Sequence, residues 1–263
     1  MSRDRRRKRV IYLLVILLFS YLLLFYNLGS YSLKEPDEGR YAEIPREMVE
    51  QGDYVVPHLN YVRYFEKPPL LYWATALSYK GFGINEWSFR LPNALAALLC
   101  VFVAYFIVSH WFCDEVGLLS SMMLLTSFGF FALAHIVTID MLFSFLLFGC
   151  LCCFYQFRRA GRPLFLSLFF ASLALAILAK GPVAFLLIAA TIIIFLWSEK
   201  DLSFIRRLLS VKPVLLFCVI AAPWFVIMCL REKEFFQFFF MDQHILRFIT
   251  TKHKRSGPPA ITM

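Results

Sequence analysis

Two charged stretches interrupt an otherwise apolar chain. They are Asp37, Glu38 and Arg40 in "KEPDEGRYAE", and Glu66 and Lys67 in "RYFEKPP". A carboxylate at such a place can take a proton or bind a cation, and a lysine or arginine can hold a phosphate. Adjacent residues do not share a helix face, so Glu66 and Lys67 point to different partners. Further ionisable residues lie in three segments close to apolar runs: Asp140 in "VTIDMLF", Lys180 in "LAKGP", and Asp242, His244 and Arg247 in the tail "MDQHILRF". An ionisable group at membrane depth is costly and therefore points to function. Carboxylates, a histidine, lysines and arginines together suit a divalent cation plus a lipid-linked phosphate. The bland readings are N-terminal capping for Asp37 and Glu38, a solvated face for Glu47 and Glu50, a surface charge pair for Glu66 and Lys67, and a hydrogen-bonded interfacial histidine for His244.

The elements that must carry these residues are membrane helices. Hydrophobic residues make up 60% of the chain and charged residues only 17%, against about 25% charged in a soluble domain. Apolar runs occupy 10–28, 91–112, 116–157, 164–197 and 213–230. A span needs roughly 20 residues, so 116–157 and 164–197 each divide in two, with turns at "VTID" and "AKGP". That predicts seven spans. The first run is too long for a signal-peptide core and no small-residue cleavage pattern follows it, so it reads as a retained helix.

The net charge of +9 does not indicate nucleic-acid binding, because much of it sits in "RDRRRKR" before the first span and no base-reading motif accompanies it. With this basic segment cytoplasmic, "RRAGR" and "SEKDLSFIRRLLSVK" fall on the same side. The expected organisation is a basic cytoplasmic terminus (1–9), a first span (10–28), an outer loop (29–90), six further spans (91–230) and an outer amphipathic tail (231–263). All the candidate residues then face outward. A transporter would instead line a path through the spans. Within the outer loop, Tyr41, Ile44 and Met48 recur on one face of an interfacial amphipathic helix that Gly52 stops, with Pro45 as an awkward interior residue expected to kink or shorten it. The seven cysteines all lie in or beside apolar runs, which excludes a disulfide framework in the loops and reads "CLCC" at 150–153 as packing.

The segments "PDEGRYAEIPREMVEQGDYVVPHLNYVRYFEKPPLLYW", "VTIDMLFSF", "LAKGP" and "DQHILRF", in this order, resemble the lipid A 4-amino-4-deoxy-L-arabinose transferases and, more widely, the protein O-mannosyltransferases. The resemblance runs to about Ser256. It implies an all-α polytopic protein of the C-type glycosyltransferase membrane fold, set in a bacterial inner membrane with its catalytic loops periplasmic. It implies a sugar donor linked to undecaprenyl phosphate, a lipid or protein acceptor, and membrane lipids around the chain. By the same resemblance Asp37 and Asp140 are the essential acids, and Arg40, Lys67 and Lys180 hold the donor phosphate. Glu66 and His244 are implied as ligands of a divalent metal cation. Two departures stand out: Pro45 falls inside a helix that the family continues, and the chain stops at "RSGPPAITM" where the family goes on. The alternative expectation is therefore a truncated, inactive remnant that binds polyprenyl phosphate or a partner chain.

Overall fold

The structure is a computed structural model and describes residues 3–239. It is a bundle of helices with one two-residue hairpin at one end. The chain begins with α1 (Arg3–Ser20), which continues as a π-helical turn over Tyr21–Phe25. The outer segment holds α2 (Asp37–Gln51), β1 (His58–Leu59), β2 (Val62–Arg63) and α3 (Leu70–Phe82). Then follow α4 (Glu86–Trp111), α5 (Asp114–Thr126), α6 (Phe128–His135), α7 (Ile139–Ala160), α8 (Pro163–Lys180), α9 (Val183–Ser198), a short α10 (Ile205–Leu208) and α11 (Val211–Arg231).

All seven expected apolar segments are helical, with breaks at 136–138 and at Gly181–Pro182. They do not make seven equal crossings. Five helices in the described residues are long and apolar enough to span alone: Arg5–Phe25, α4, α7, α8 and α11. The pair α5 and α6 makes a sixth only if counted as one span, bent by 62°. The bend is local, because Ser127 leaves the helical region for φ −70°, ψ 132°. Helix α9 is apolar and has 16 residues, just under the usual range for a span. Large side chains such as Leu14, Leu18, Leu119, Met123, Leu164, Leu186 and Ile194 remain exposed on the outer faces. That is the pattern of helices solvated by lipid rather than by water.

Small residues bring the helices together. A Cβ on Gly117 would lie 2.0 Å from the Ser109 hydroxyl and 2.9 Å from the Tyr105 carbonyl, so α5 packs on α4 only because this position is glycine. Asn93, fully buried on α4, donates to the carbonyls of Leu133 and Ala134 at 2.8 and 2.9 Å. These carbonyls end α6 and would otherwise be unpaired in an apolar interior.

Charges collect at the two ends of the bundle. At one end Arg5 pairs with Asp114, and Arg158 with Glu199 and Asp201. At the other, Lys180 pairs with Asp140, Arg231 with Asp53, and Arg63 with Glu232. The hairpin segment is tied to this second end by Trp224, whose indole donates to the Val55 carbonyl at 2.9 Å.

Helix α2 takes the expected face inward: Tyr41, Ile44 and Met48 are buried, and Gly52 ends the helix in the left-handed region at φ 71°. Two expectations need correction. Pro45 does not shorten the helix, which runs unbroken from Asp37 to Gln51. Glu47 is not on a solvated face. It is fully buried, and both its oxygens accept from the Tyr61 amide at 3.0–3.1 Å. Glu50 is exposed as expected.

Candidate functional site

Asp37 and Glu38 open the first turn of α2, where carboxylates oppose the positive end of the helix dipole. They have opposite fates. Asp37 is exposed and ion-pairs with Arg40 one turn on. Glu38 turns inward and is completely buried against Arg90, the fifth residue of α4. The Arg90 guanidinium also donates to the carbonyls of Leu28, Tyr31 and Ser32 and lies 3.8 Å from the centre of the Tyr31 ring. Burial pushes the Glu38 carboxyl up, but hydrogen bonds from Arg90, Val137 and Lys34 outweigh it and hold its pKa below the ordinary value.

Arg40 is the hub of the exposed cluster. One terminal nitrogen binds Asp37; the other lies 3.4 Å from the Tyr64 hydroxyl and 3.7 Å from Glu66. Tyr64 in turn donates to Glu66 at 2.9 Å. The Arg40 Nε is buried and has no hydrogen-bond partner among the described residues. An unpaired, buried charged donor costs free energy unless a partner completes it. Lys67 follows Glu66 and is half-buried at the start of the Pro68–Pro69 turn into α3.

Asp140 and Lys180 come from the facing ends of α7 and α8, and their side chains pair directly. Both are partly exposed. Thr138 caps α7 by accepting from the Asp140 amide, so the acid sits in the first turn of its helix. Tyr41 shows that the two clusters share one field. Burial pushes its phenol up to about 12; Arg40 opposes this, and the carboxylates of Asp37, Asp140 and Glu66 add to the rise.

Of the residues expected from the sequence, Asp37, Arg40 and Glu66 form one contiguous group, and Asp140 and Lys180 form a second beside it. His244, with Asp242 and Arg247, lies outside the described residues. The expected cation site is not assembled by what is described. No three His, Cys, Asp or Glu come together to hold a metal ion among the described residues, and Glu66 is engaged by Arg40 and Tyr64. Sequence reasoning passed over Tyr64 and Arg90. Tyr64 stood two residues before Glu66 and could be found only through the side-chain pairing. Arg90, a charge heading the long apolar run of α4, carried a usable signal.

These observations define a polytopic helical membrane protein with an acid-and-cation site at one end of its bundle. The chain belongs to the family described as dolichyl-phosphate-mannose-protein mannosyltransferase, which it matches over residues 9–239. It is 31% identical over 247 residues to the undecaprenyl phosphate-alpha-4-amino-4-deoxy-L-arabinose arabinosyl transferase of Aeromonas salmonicida, covering 90% of this chain and 45% of the relative. The enzyme of the same name from Pseudomonas savastanoi pv. phaseolicola is 32% identical over 94% of this chain and 46% of its own length. The crystal structure of ArnT from Cupriavidus metallidurans bound to undecaprenyl phosphate superposes with a TM-score of 0.84 at 32% identity, covering 90% of this chain and 44% of that one. The fold is therefore the C-type glycosyltransferase membrane fold. The chain spans about half the length of the curated relatives it matches.

Proposed function

We propose that this chain carries the donor-phosphate and acid site of a membrane glycosyltransferase that moves a sugar from undecaprenyl phosphate to a lipid A-like or protein acceptor. The observation that carries the reading is Arg40: an arginine with a buried, unpartnered Nε, flanked by carboxylates and set at one end of a membrane bundle. The likeness to a solved structure holding undecaprenyl phosphate supports the choice of anion. In this reading the site faces the periplasm from a bacterial inner membrane, which the basic flanks, placed on the cytoplasmic side, support.

The chemistry assigns each group one task. Transfer breaks the bond between the sugar's anomeric carbon and the phosphate oxygen, and polyprenyl phosphate leaves with the electron pair. Arg40, Lys67 and Lys180 offset that negative charge. The Asp37 carboxylate accepts the proton from the acceptor's nucleophilic group as the new glycosidic bond forms. Asp140, paired with Lys180, orients that lysine toward the phosphate. A divalent cation held by Glu66 and His244 would add positive charge at the same phosphate, and Glu66 would have to release Arg40 and Tyr64 to bind it.

The test is transfer of label from a radiolabelled undecaprenyl-phosphate sugar to lipid A in membranes containing this chain. Transfer is expected for the wild type and its loss for Asp37→Ala and Lys67→Ala; undiminished transfer in both variants would sink the proposal. Lipid binding without transfer from any donor would instead support a binding-only role.

A further inference from the structure

The buried pair beside the site does more than neutralise a charge. Glu38 uses both carboxylate oxygens on three different chain segments. One oxygen accepts from the Val137 amide at 3.0 Å and from Arg90 Nε at 3.3 Å; the other accepts from the Lys34 amide at 2.9 Å and from an Arg90 terminal nitrogen at 3.0 Å. Both side chains are wholly buried. Glu38 is the immediate neighbour of Asp37, and Val137 lies at the turn that leads through the Thr138 cap into Asp140. One carboxylate therefore touches the backbone beside each of the two acids, while Arg90 fixes it to α4.

We infer that Glu38 is a positioning residue: clamped by Arg90, it ties the turn carrying Asp37 to the peptide leading into Asp140 and so sets the spacing of the two acids. The clamp's importance for turnover rests on the glycosyltransferase reading above; its geometry does not. Val137 belongs to neither α6 nor α7, and it is fully buried, so its amide depends on Glu38 for satisfaction. Release of that amide would free the segment to shift. Displacing a reacting group by about 1 Å can cost on the order of a hundredfold in rate.

Two variants test this in the full chain. Glu38→Gln keeps the side-chain volume but replaces one acceptor oxygen with a donor. Val137→Pro removes the amide without altering either member of the Glu38–Arg90 pair. Because this change also replaces a buried isopropyl group, Val137→Ala serves as the side-chain control. Ile136 is already in the extended region (φ −97°, ψ 110°), near the conformation a following proline favours. In hydrogen exchange, Glu38→Gln should raise the exchange rate of the Val137 amide by about tenfold or more, with the interiors of α4 and α7 still protected as in the wild type. In transfer assays Glu38→Gln and Val137→Pro should both lose about 10- to 100-fold in kcat with donor KM within about threefold of wild type. Here kcat is counted per folded protein as titrated by undecaprenyl phosphate, so that a loss of folded protein is removed from the comparison. Unchanged Val137 exchange in Glu38→Gln, or wild-type kcat in Val137→Pro, would overturn the inference. If Glu38→Gln loses protection throughout, Val137→Pro decides by its kcat. If the wild type transfers no sugar while Glu38→Gln still exposes Val137, the transferase reading fails and the clamp stands.

Discussion

Arg40 offers a sharp separation between holding the fold and holding the ligand. Its ion pairs are with groups that water reaches: the side chains are 30% exposed for Arg40, 51% for Asp37 and 38% for Glu66. Exposed pairs of this kind contribute about 0–1 kcal/mol each. Arg40→Ala should therefore lower stability by no more than about 1–2 kcal/mol. A hydrogen bond from a charged donor to a phosphate contributes about 1.5–3 kcal/mol. At 1.4 kcal/mol per factor of ten, loss of even one such bond weakens binding by roughly 10- to 150-fold. The assay is titration of nanodisc-embedded protein with undecaprenyl phosphate, read by intrinsic tryptophan fluorescence, with undecaprenol as the uncharged control. Arg40→Ala should raise Kd by at least tenfold while shifting the thermal midpoint only slightly. Arg40→Lys should fall between, since it keeps the charge but loses the planar fork. A Kd within about threefold of wild type would refute the assignment. So would a fall in thermal midpoint as large as that caused by removing Arg90.

Arg90→Ala leaves Glu38 buried without its counter-charge and should cost about 3–5 kcal/mol, seen as a large drop in thermal midpoint in detergent. The Asp140–Lys180 pair is partly exposed, so Asp140→Asn with Lys180→Met should change stability by about 1 kcal/mol or less yet abolish transfer; near-normal transfer by the double variant would remove both from the site. Stability should depend on pH through two buried carboxyls with opposite signs. The Glu38 pKa is lowered in the fold, so its contribution is present above the ordinary glutamate value and lost as pH falls through the depressed one; Glu38→Gln should flatten that acid limb. The Glu47 pKa is raised, by burial first and also by the neighbouring Glu43, so the folded state loses stability as pH rises from the ordinary value through the raised one. Thermal unfolding of Glu47→Gln across that window should show the dependence gone.

Most of the architecture was legible because lipid imposes a simple rule. Backbone groups must be satisfied within the segment, so apolar runs of sufficient length become helices, and glycine and proline mark their ends. The break at Gly181–Pro182 followed from that rule, whereas the one at 136–138 overlaps the turn expected at "VTID" from the length of the run and the charge of Asp140. What it could not give was where a run bends. Ser127 is an ordinary residue for a membrane helix, and the 62° bend there depends on how α5 and α6 meet α4. Helix α2 shows the same limit. Periodicity found its buried face through Tyr41, Ile44 and Met48, but counted Glu47 as solvated because only the Asn60–Tyr61 turn, folding back over α2, supplies the amide that lets a carboxylate be buried.

The sequence by itself determined the residue types of the site: acids at 37, 66 and 140, and cations at 40, 67 and 180, each at the edge of an apolar run where a charge needs a reason. Only the tertiary structure decided where each acid points. Asp37 and Glu38 are adjacent and chemically alike, yet one stays exposed beside Arg40 and the other is sealed against Arg90 and the Val137 amide. Successive residues of a helix point in different directions, about 100° apart, so the choice belongs to whichever neighbour the bundle places on each side. Here α4 and the turn before α7 lie on the Glu38 side, and the open end of the bundle lies on the other.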